Sequence, residues 1–569
     1  MKKRYGLFSR KTNRPDGLYD FSSPLSREDT IGCLLENSSQ ARNKKELYWR
    51  KMRRYYDGVH DINHATSVFC DDMNIPWTPA QSPDGFVHVE SQIDPELPGF
   101  EFAPQGDICI HSAKIREETV RRICEINSLA DMNIKAERSL GINGSAVWKV
   151  CWGQNPISNE YSSEVVITNP SPEQIYIDPS AETVDSAEYI AYVYPMHKQK
   201  ARRVFEKDIK AASDSFESYL SGSTKGVMYE GEYEDDDTLT VTEFWFRQPK
   251  NSHGNSHTEY KAGDIALSVL INGKEVKYIP KYWQNIDCGM FPFVIYSKIP
   301  EKGSVWGKSE LEQIIPLIDA ADRELTFAQL NSAFCSNDVI LAEENAFSEG
   351  QIPDNSPGAV WKLRPGMMGK VQRLGNMSSS QSGQFNSYTM WQNMMQQATG
   401  NFDINQGKEP ARVITASGIA LMNERSKTRQ MLKKAGRSEG FKRLYKLIDF
   451  TAIEFYEKGR NVNTKDSSYN YDRSHFEVCS HGVNYIPDLD IKIHIGDGIA
   501  NSKAFTVSAI NSLISANINK DNYKFVKAYI DLIGLPMRNE ICEFLDNKYS
   551  QEEKETDAFQ NIDLGELIP

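Results

Sequence analysis

The sequence has no apolar run long enough to cross a bilayer: no window approaches the roughly 18 consecutive apolar residues that a spanning helix needs. It has no C-x-x-C pair. Its nine cysteines, at 33, 70, 109, 124, 151, 288, 335, 479 and 542, are scattered and odd in number. That excludes a disulfide framework or cysteine zinc site and points to free, buried thiols in a reducing compartment. Histidine is scarce, at ten. His253 and His257 have a metal-like spacing, but they sit in the polar stretch Asn251-Ser-His-Gly-Asn-Ser-His257 with no cysteine nearby, which reads as a solvated loop. Positive charge is in deficit: 65 Lys and Arg against 78 Asp and Glu give −13. A protein that wraps nucleic acid with its whole surface needs the opposite balance. The opening Met1-Lys-Lys-Arg-Tyr-Gly-Leu-Phe-Ser-Arg10 is basic without an apolar core, so it does not read as a secretory signal. Aromatics, by contrast, are plentiful at 11%, enough to build cores and to exclude global disorder.

Residues 1–26 read as a loose basic arm, since six of the first fourteen are Lys or Arg. A helix is expected from Arg27 to Tyr56, stopping at Asp57-Gly58. Residues 74–106 carry six prolines and are expected to be irregular. A helix over 112–140 leads through Gly141-Ile-Asn-Gly144 into the alternating strand 146–152. Further strands are expected at 164–167, 174–177 and 239–246, a helix over 196–220, and an acidic loop over 231–237. Asn272-Gly273 predicts a hairpin within 265–279. In the second half, an apolar run at 291–296 precedes a helix opened by Ser309 and Glu312 as a capping box. Pro316 should kink it or mark its true start. Short strands follow at 339–342, 359–363 and 370–374, then a helix over 385–400. One long helix spans about 415–459, ~65 Å at 1.5 Å per residue. Strands at 475–479 and 490–495 precede helices over 502–547 and an acidic tail.

The sharpest enzyme-like signal is Gly303-Ser-Val-Trp-Gly-Lys-Ser309, a phosphate-loop context between an apolar strand and a helix. The spacing is one residue short, because Lys302 stands where the first glycine belongs, and no apolar strand ends in an acid to hold Mg²⁺. A turn with a capping box is the simpler reading. Ala416-Ser-Gly418 lacks the first glycine of a nucleophile elbow. No acid–base pair can be picked from 78 carboxylates.

The order of these elements resembles the portal proteins of tailed bacteriophages, the head–tail connectors. The resemblance runs from about Arg27 to Asn547. It is carried by Trp49-Arg-Lys-Met-Arg-Arg-Tyr-Tyr-Asp-Gly58, the 141–150 glycine turn and strand, Pro172-Glu-Gln-Ile-Tyr-Ile-Asp-Pro179 with 187–190, the 307–320 helix start, and 406–420 at the entry to the long helix. It implies an α+β protomer of portal type that assembles into a ring: basic arm 1–26, wing 27–308, first stem helix 309–337, clip 338–377, second stem helix 378–400, tunnel loop 401–414, long wing helix and strands 415–498, α-helical crown 499–548 and acidic flexible tail 549–569. It also implies a homo-oligomer, usually of twelve, at one capsid vertex of the virion, assembled in the host cytoplasm. Double-stranded DNA passes its axial tunnel, sequence-independently. Its partners are the large terminase, the major capsid or scaffolding protein and a head–tail adaptor. No enzyme activity, cofactor, metal or membrane is implied.

Within that resemblance, Lys408 and Arg412 are candidate DNA-facing cations of the tunnel loop, touching phosphates without reading sequence. Glu310, Glu312, Asp319, Asp322 and Glu324 are a candidate acidic tunnel wall that keeps DNA from sticking. Nine Lys and Arg lie between Arg425 and Lys446 against one acid, Glu439. Of these, Arg425, Arg429, Lys433 and Arg437 are expected to pair with an acidic surface of the neighbouring subunit. Two other readings stay open at this point. One is a nucleotide-driven motor resting on Gly303–Ser309, and the other is an intracellular scaffold that forms no ring.

Overall fold

The structure is a computed structural model. It describes residues 21–60, 80–103, 110–154, 163–205, 238–249, 260–336, 340–344, 346–348, 362–373, 381–399, 416–456, 460–463, 468–473, 476, 478–480, 483–486 and 489–494. The basic arm to residue 20, the 206–237 stretch with its acidic loop, the His253–His257 loop, the tunnel loop, the crown and the acidic tail lie outside these.

Helix α1, Pro24–Tyr56, starts where the Ser23 hydroxyl accepts from the Ser26 amide at 3.2 Å, with Pro24 pre-set for the first turn. It stops at Asp57 and Gly58, the latter at φ 75°. The Pro-rich segment is more ordered than expected: it holds helix α2, Asp84–Glu90, and strand β1, Gly99–Ala103. The single helix expected over 112–140 is two, α3 (Ile110–Ile126) and α4 (Leu129–Asn143). Between them Ser128 turns to φ 51°, while Asn127 donates to the Ile123 and Val165 carbonyls and accepts from the Ile167 amide. That side chain ties the helix end to a strand edge, and the helix stops there.

The strands follow as β2 (Ala146–Gln154), β3 (Ser163–Thr168), β4 (Ile175–Ile177), β5 (Tyr189–His197), β6 (Thr238–Arg247), β7 (Ile265–Ile271), β8 (Lys274–Ile279) and β9 (Phe293–Tyr296). They form two antiparallel sheets, β3-β2-β9 and β4-β5-β6-β7-β8. Asn272 (φ 47°) and Gly273 (φ 81°) make the expected tight hairpin turn. The helix expected over 196–220 is described only as α5, Lys198–Phe205.

The second half holds α6 (Leu311–Ser336), β10 (Ile340–Ala342), β11 (Val371–Arg373), α7 (Gln381–Thr399) and α8 (Ala416–Phe455). Short strands β12 (Arg460–Asn463), β13 (Ser468–Tyr471), β14 (Val478–Ser480), β15 (Val483–Tyr485) and β16 (Asp490–His494) follow. Pro316 lies inside α6 without ending it.

The chain divides into two compact units. The smaller comprises 98–101 and 492–569, of which 98–101 and 492–494 are described. In the larger, α1 serves two cores. Its first half lays Ile31, Leu34 and Leu35 on Tyr176, Tyr189, Phe244 and Phe246 of the five-stranded sheet. Its last turns put Met52 and Tyr55 against Leu311, Ile314, Ile315 and Ile318 of α6 and Met395 of α7. A 33-residue helix, about 50 Å long, thus fixes the helix pair to the sheet.

Candidate functional site

The loop before α6 has the amides nearest the helix occupied by the protein itself. Gly307 N donates to the Ser145 hydroxyl at 2.9 Å, Lys308 N to the Ile299 carbonyl at 2.9 Å and Ser309 N to the Tyr48 hydroxyl at 2.8 Å. The Ser309 hydroxyl donates to the Gly141 carbonyl at 2.7 Å. A Cβ on Gly307 or Gly144 would strike backbone across this seam. The two glycines let the loops meet face to face, and the amides of Gly307, Lys308 and Ser309, at the helix end of the loop, are taken by the protein rather than offered to a phosphate. The expected capping box is also rearranged: Ser309 accepts from Leu311 N, and Glu312 accepts the Tyr48 hydroxyl at 3.2 Å. Gly303–Ser309 is therefore a packing seam, which removes the ground for a nucleotide-driven motor.

Helices α6 and α7 form a hairpin. The β10–β11 ladder pairs Ile340 with Arg373 and Ala342 with Val371, which brings the end of α6 to the start of α7. Met395 near the end of α7 then packs beside Leu311–Ala321 at the start of α6, so the helices run antiparallel. Four of the five candidate wall acids are engaged inside the protomer, Glu312 through the Tyr48 hydroxyl already described. Glu310 is buried beside His88 at 3.5 Å. Asp319 accepts the Tyr55 hydroxyl at 2.6 Å. Asp322 pairs with His60 and accepts from Ser82 N at 2.8 Å. Glu310, Asp319 and Asp322 hold the start of α6 to the end of α1 and to the 82–88 segment. Only Glu312 is exposed, and Glu324 is half-buried.

His60 was not foreseen. Its Nδ1 faces Asp322 and its Nε2 the Tyr55 carbonyl at 3.4 Å, with the ring stacked on Tyr55 at 4.8 Å. Both partners accept, which favours the doubly protonated ring. Burial alone would lower its pKa, but the hydrogen bond and charge of Asp322, helped by the Tyr55 carbonyl and Asp319, hold it above the ordinary value.

The long helix α8 is anchored through its second half. Arg116 of α3 forms a buried pair with Asp449. Glu454 accepts from the amides of Gln284, Asn285 and Ile286 at 2.8–3.0 Å. Arg437 is buried and paired within the chain, with Asp94 at 2.6 Å and Glu137 at 2.9 Å. The expectation for it is corrected, because its charge is met inside the protomer. Arg425, Arg429 and Lys433 lie on α8, but their side chains lie outside the described residues, as do Lys408 and Arg412 entirely. Asp94 and Glu137 had no signal in spacing, since the first sits in the Pro-rich stretch and the second is one helical acid among many.

Cys33 is exposed, Cys124 is buried and Cys151 and Cys288 are intermediate, and none of the four is in a disulfide. The expectation of buried thiols thus fails at Cys33. Among the described residues no cluster of His, Cys, Asp or Glu is placed to hold a metal ion, and no helix is long and apolar enough to cross a membrane.

An α+β body that clamps a long helix and carries an antiparallel helix pair capped by a short ladder defines a structural scaffold. Comparison with protein families places it further. The family model described as phage SU10 portal protein matches residues 153–529 of the 569, and the chain belongs to this portal protein family. It is a structural, non-catalytic component of the tailed-phage capsid vertex through which DNA is packaged and ejected. No curated protein matches the sequence.

Proposed function

We propose that the chain is a portal subunit whose α6–α7 hairpin is the stem, whose β10–β11 tip and the residues between are the clip, and whose α1–β9 body together with α8 and the following strands is the wing. Residues 499–548 are the crown, and twelve copies close the ring. The observation that carries this reading is the chain order: a helix hairpin tipped by a three-pair ladder, followed by a 40-residue helix. The clip meets the large terminase during packaging and the head–tail adaptor afterwards, and the wing meets the major capsid or scaffolding protein. The ring works at the portal vertex of the virion after assembly in the host cytoplasm. Lys408 and Arg412, in the stretch between α7 and α8, touch passing phosphates. The acidic wall is reduced to Glu312 and Glu324. Arg425, Arg429 and Lys433 face an acidic surface of the next subunit.

Electron microscopy of the purified protein tests the ring directly: the expected image is a closed ring with an axial hole, and dispersed single chains would overturn it. For the loop, Lys408→Ala with Arg412→Ala should assemble rings as wild type does but package or retain less DNA. Wild-type packaging by that double variant would remove the tunnel cations from the reading.

A further inference from the structure

The contact that seats α8 is unusually close. A Cβ on Gly436 would collide with the Ser297 carbonyl, and one on Gly440 with the Tyr296 ring. The two glycines, one turn apart on one face, let the helix backbone lie directly on the end of β9. Arg437 leaves the helix between them. Its Nη1 holds Asp94 at 2.6 Å, its Nη2 donates to the Glu96 carbonyl at 2.5 Å, and its Nε lies 2.9 Å from Glu137. The other oxygen of Glu137 meets Lys298 at 3.0 Å, next to the glycine seat. Neither Glu137 oxygen makes a well-directed hydrogen bond, so this contact is charge on charge, inside a site where Glu137 is 1% exposed. One guanidinium thus joins α8 to α4 and to the 94–96 segment, and Glu137 ties the same point to Lys298, two residues past β9.

Beyond this point the helix is fastened again, at Asp449 and Glu454. Arg437 is the first of these buried charge anchors met from Ala416, a distance of about 30 Å along the axis at 1.5 Å per residue. A change of about 10° at the clamp carries the Ala416 end by about 5 Å over such a helix.

We propose that Arg437 is a positioning residue: its clamp on Asp94, Glu137 and the Glu96 carbonyl, over the Gly436–Gly440 seat, sets the direction in which the first half of α8 leaves the body. On the portal reading above, that direction sets how far the Ala416 end stands from the DNA path. The inference rests on that reading for its effect on DNA, not for the clamp itself.

The test compares assembled wild-type, Arg437→Met and Asp94→Asn rings by cryo-electron microscopy. Asp94→Asn guards against loss of folding, because Asp94 is one-third exposed and the substitution removes one charge only. In both variants residues 445–455 should superimpose on wild type while 416–436 re-aims and retention of packaged DNA falls. A first half of α8 that superimposes on wild type in Asp94→Asn rings overturns the proposal. If the wild-type chain forms no ring, the portal reading fails, and the clamp is then read by hydrogen exchange on the full chain. There Arg437→Met should speed amide exchange over 434–440 by about a hundredfold, as expected for stranding buried charge. Asp94→Asn should do so by about tenfold, since the hydrogen bond from Arg437 loses its charge assistance. Unchanged exchange over 434–440 in Asp94→Asn overturns the clamp.

Discussion

Single carboxylates decide much of this molecule, and they do so by which donors surround them. Glu454 is met by three successive amides of the 284–286 turn and by the Asn285 side chain, an arrangement that needs both oxygens as acceptors. Glu454→Gln turns one acceptor into a donor facing an amide, and should destabilise the protein by about 2 kcal/mol, read as a shift in urea midpoint. His60 gives the opposite kind of control, over pH. Its folded pKa is raised above 6.5, so its stabilising contribution is complete below the unfolded pKa and is lost as pH rises through the folded value. The groups facing it are Asp322, Asp319 and Asp84 with the Tyr55 carbonyl. Stability should therefore fall as pH is raised from 6.5 upward, and His60→Asn should flatten that dependence; an unchanged slope in the variant would assign it elsewhere. Asp319 and Asp322 show what residue counting misses. Their spacing along α6 is that of a solvated acidic face, yet one meets Tyr55 and the other His60, both brought there by the end of a helix some 260 residues earlier.

At the scale of elements, the 303–309 loop separates a sequence resemblance from a site. Its glycines and lysine are those of a phosphate cradle, but the amides close on Ser145, Ile299 and Tyr48. Among the described residues Lys308 pairs with Glu301, at 3.9 Å on the surface. Lys308→Ala should leave stability within about 0.5 kcal/mol and leave ring assembly unaltered. ATP binding by the wild type that the variant loses would reopen the motor reading. The same loop shows why some elements were legible. Alternation found β2 and β6, Asn272-Gly273 found the β7–β8 hairpin, and helical periodicity found α1, α6 and α8. Helix α2 was hidden because Pro83 before it and Pro95 after it read as breakers, although Pro83 only sits at the helix start. Strand β5 was hidden because it is apolar on both faces and carries Pro195. The break at Ser128 depends on Asn127 reaching β3, a contact that local pattern cannot contain.

For the whole molecule, the excess of acid over base sits oddly with a basic helix, and within the protomer acids meet part of that helix's charge. From Arg437 onward, cations are met within the protomer: Arg437 by Asp94 and Glu137, Lys442 by Asp490 at 3.0 Å, Arg443 by Asp185 at 2.8 Å. If Arg425, Arg429 and Lys433 pair between subunits, assembled rings should loosen as salt rises, since exposed pairs are screened over about 10 Å at 0.1 M. Light scattering across a salt series reads this, and salt-independent rings would count against it. The β10–β11 ladder has a wider consequence. It pairs residues at only three positions, and the partners of an antiparallel ladder stand about 5 Å apart. Everything from Glu343 to Lys370 thus enters and leaves the hairpin through one narrow doorway. A segment of different length or sequence with the same end spacing fits there without altering how α6 and α7 pack, so the sequence between the two strands is free to diverge while the body stays as it is.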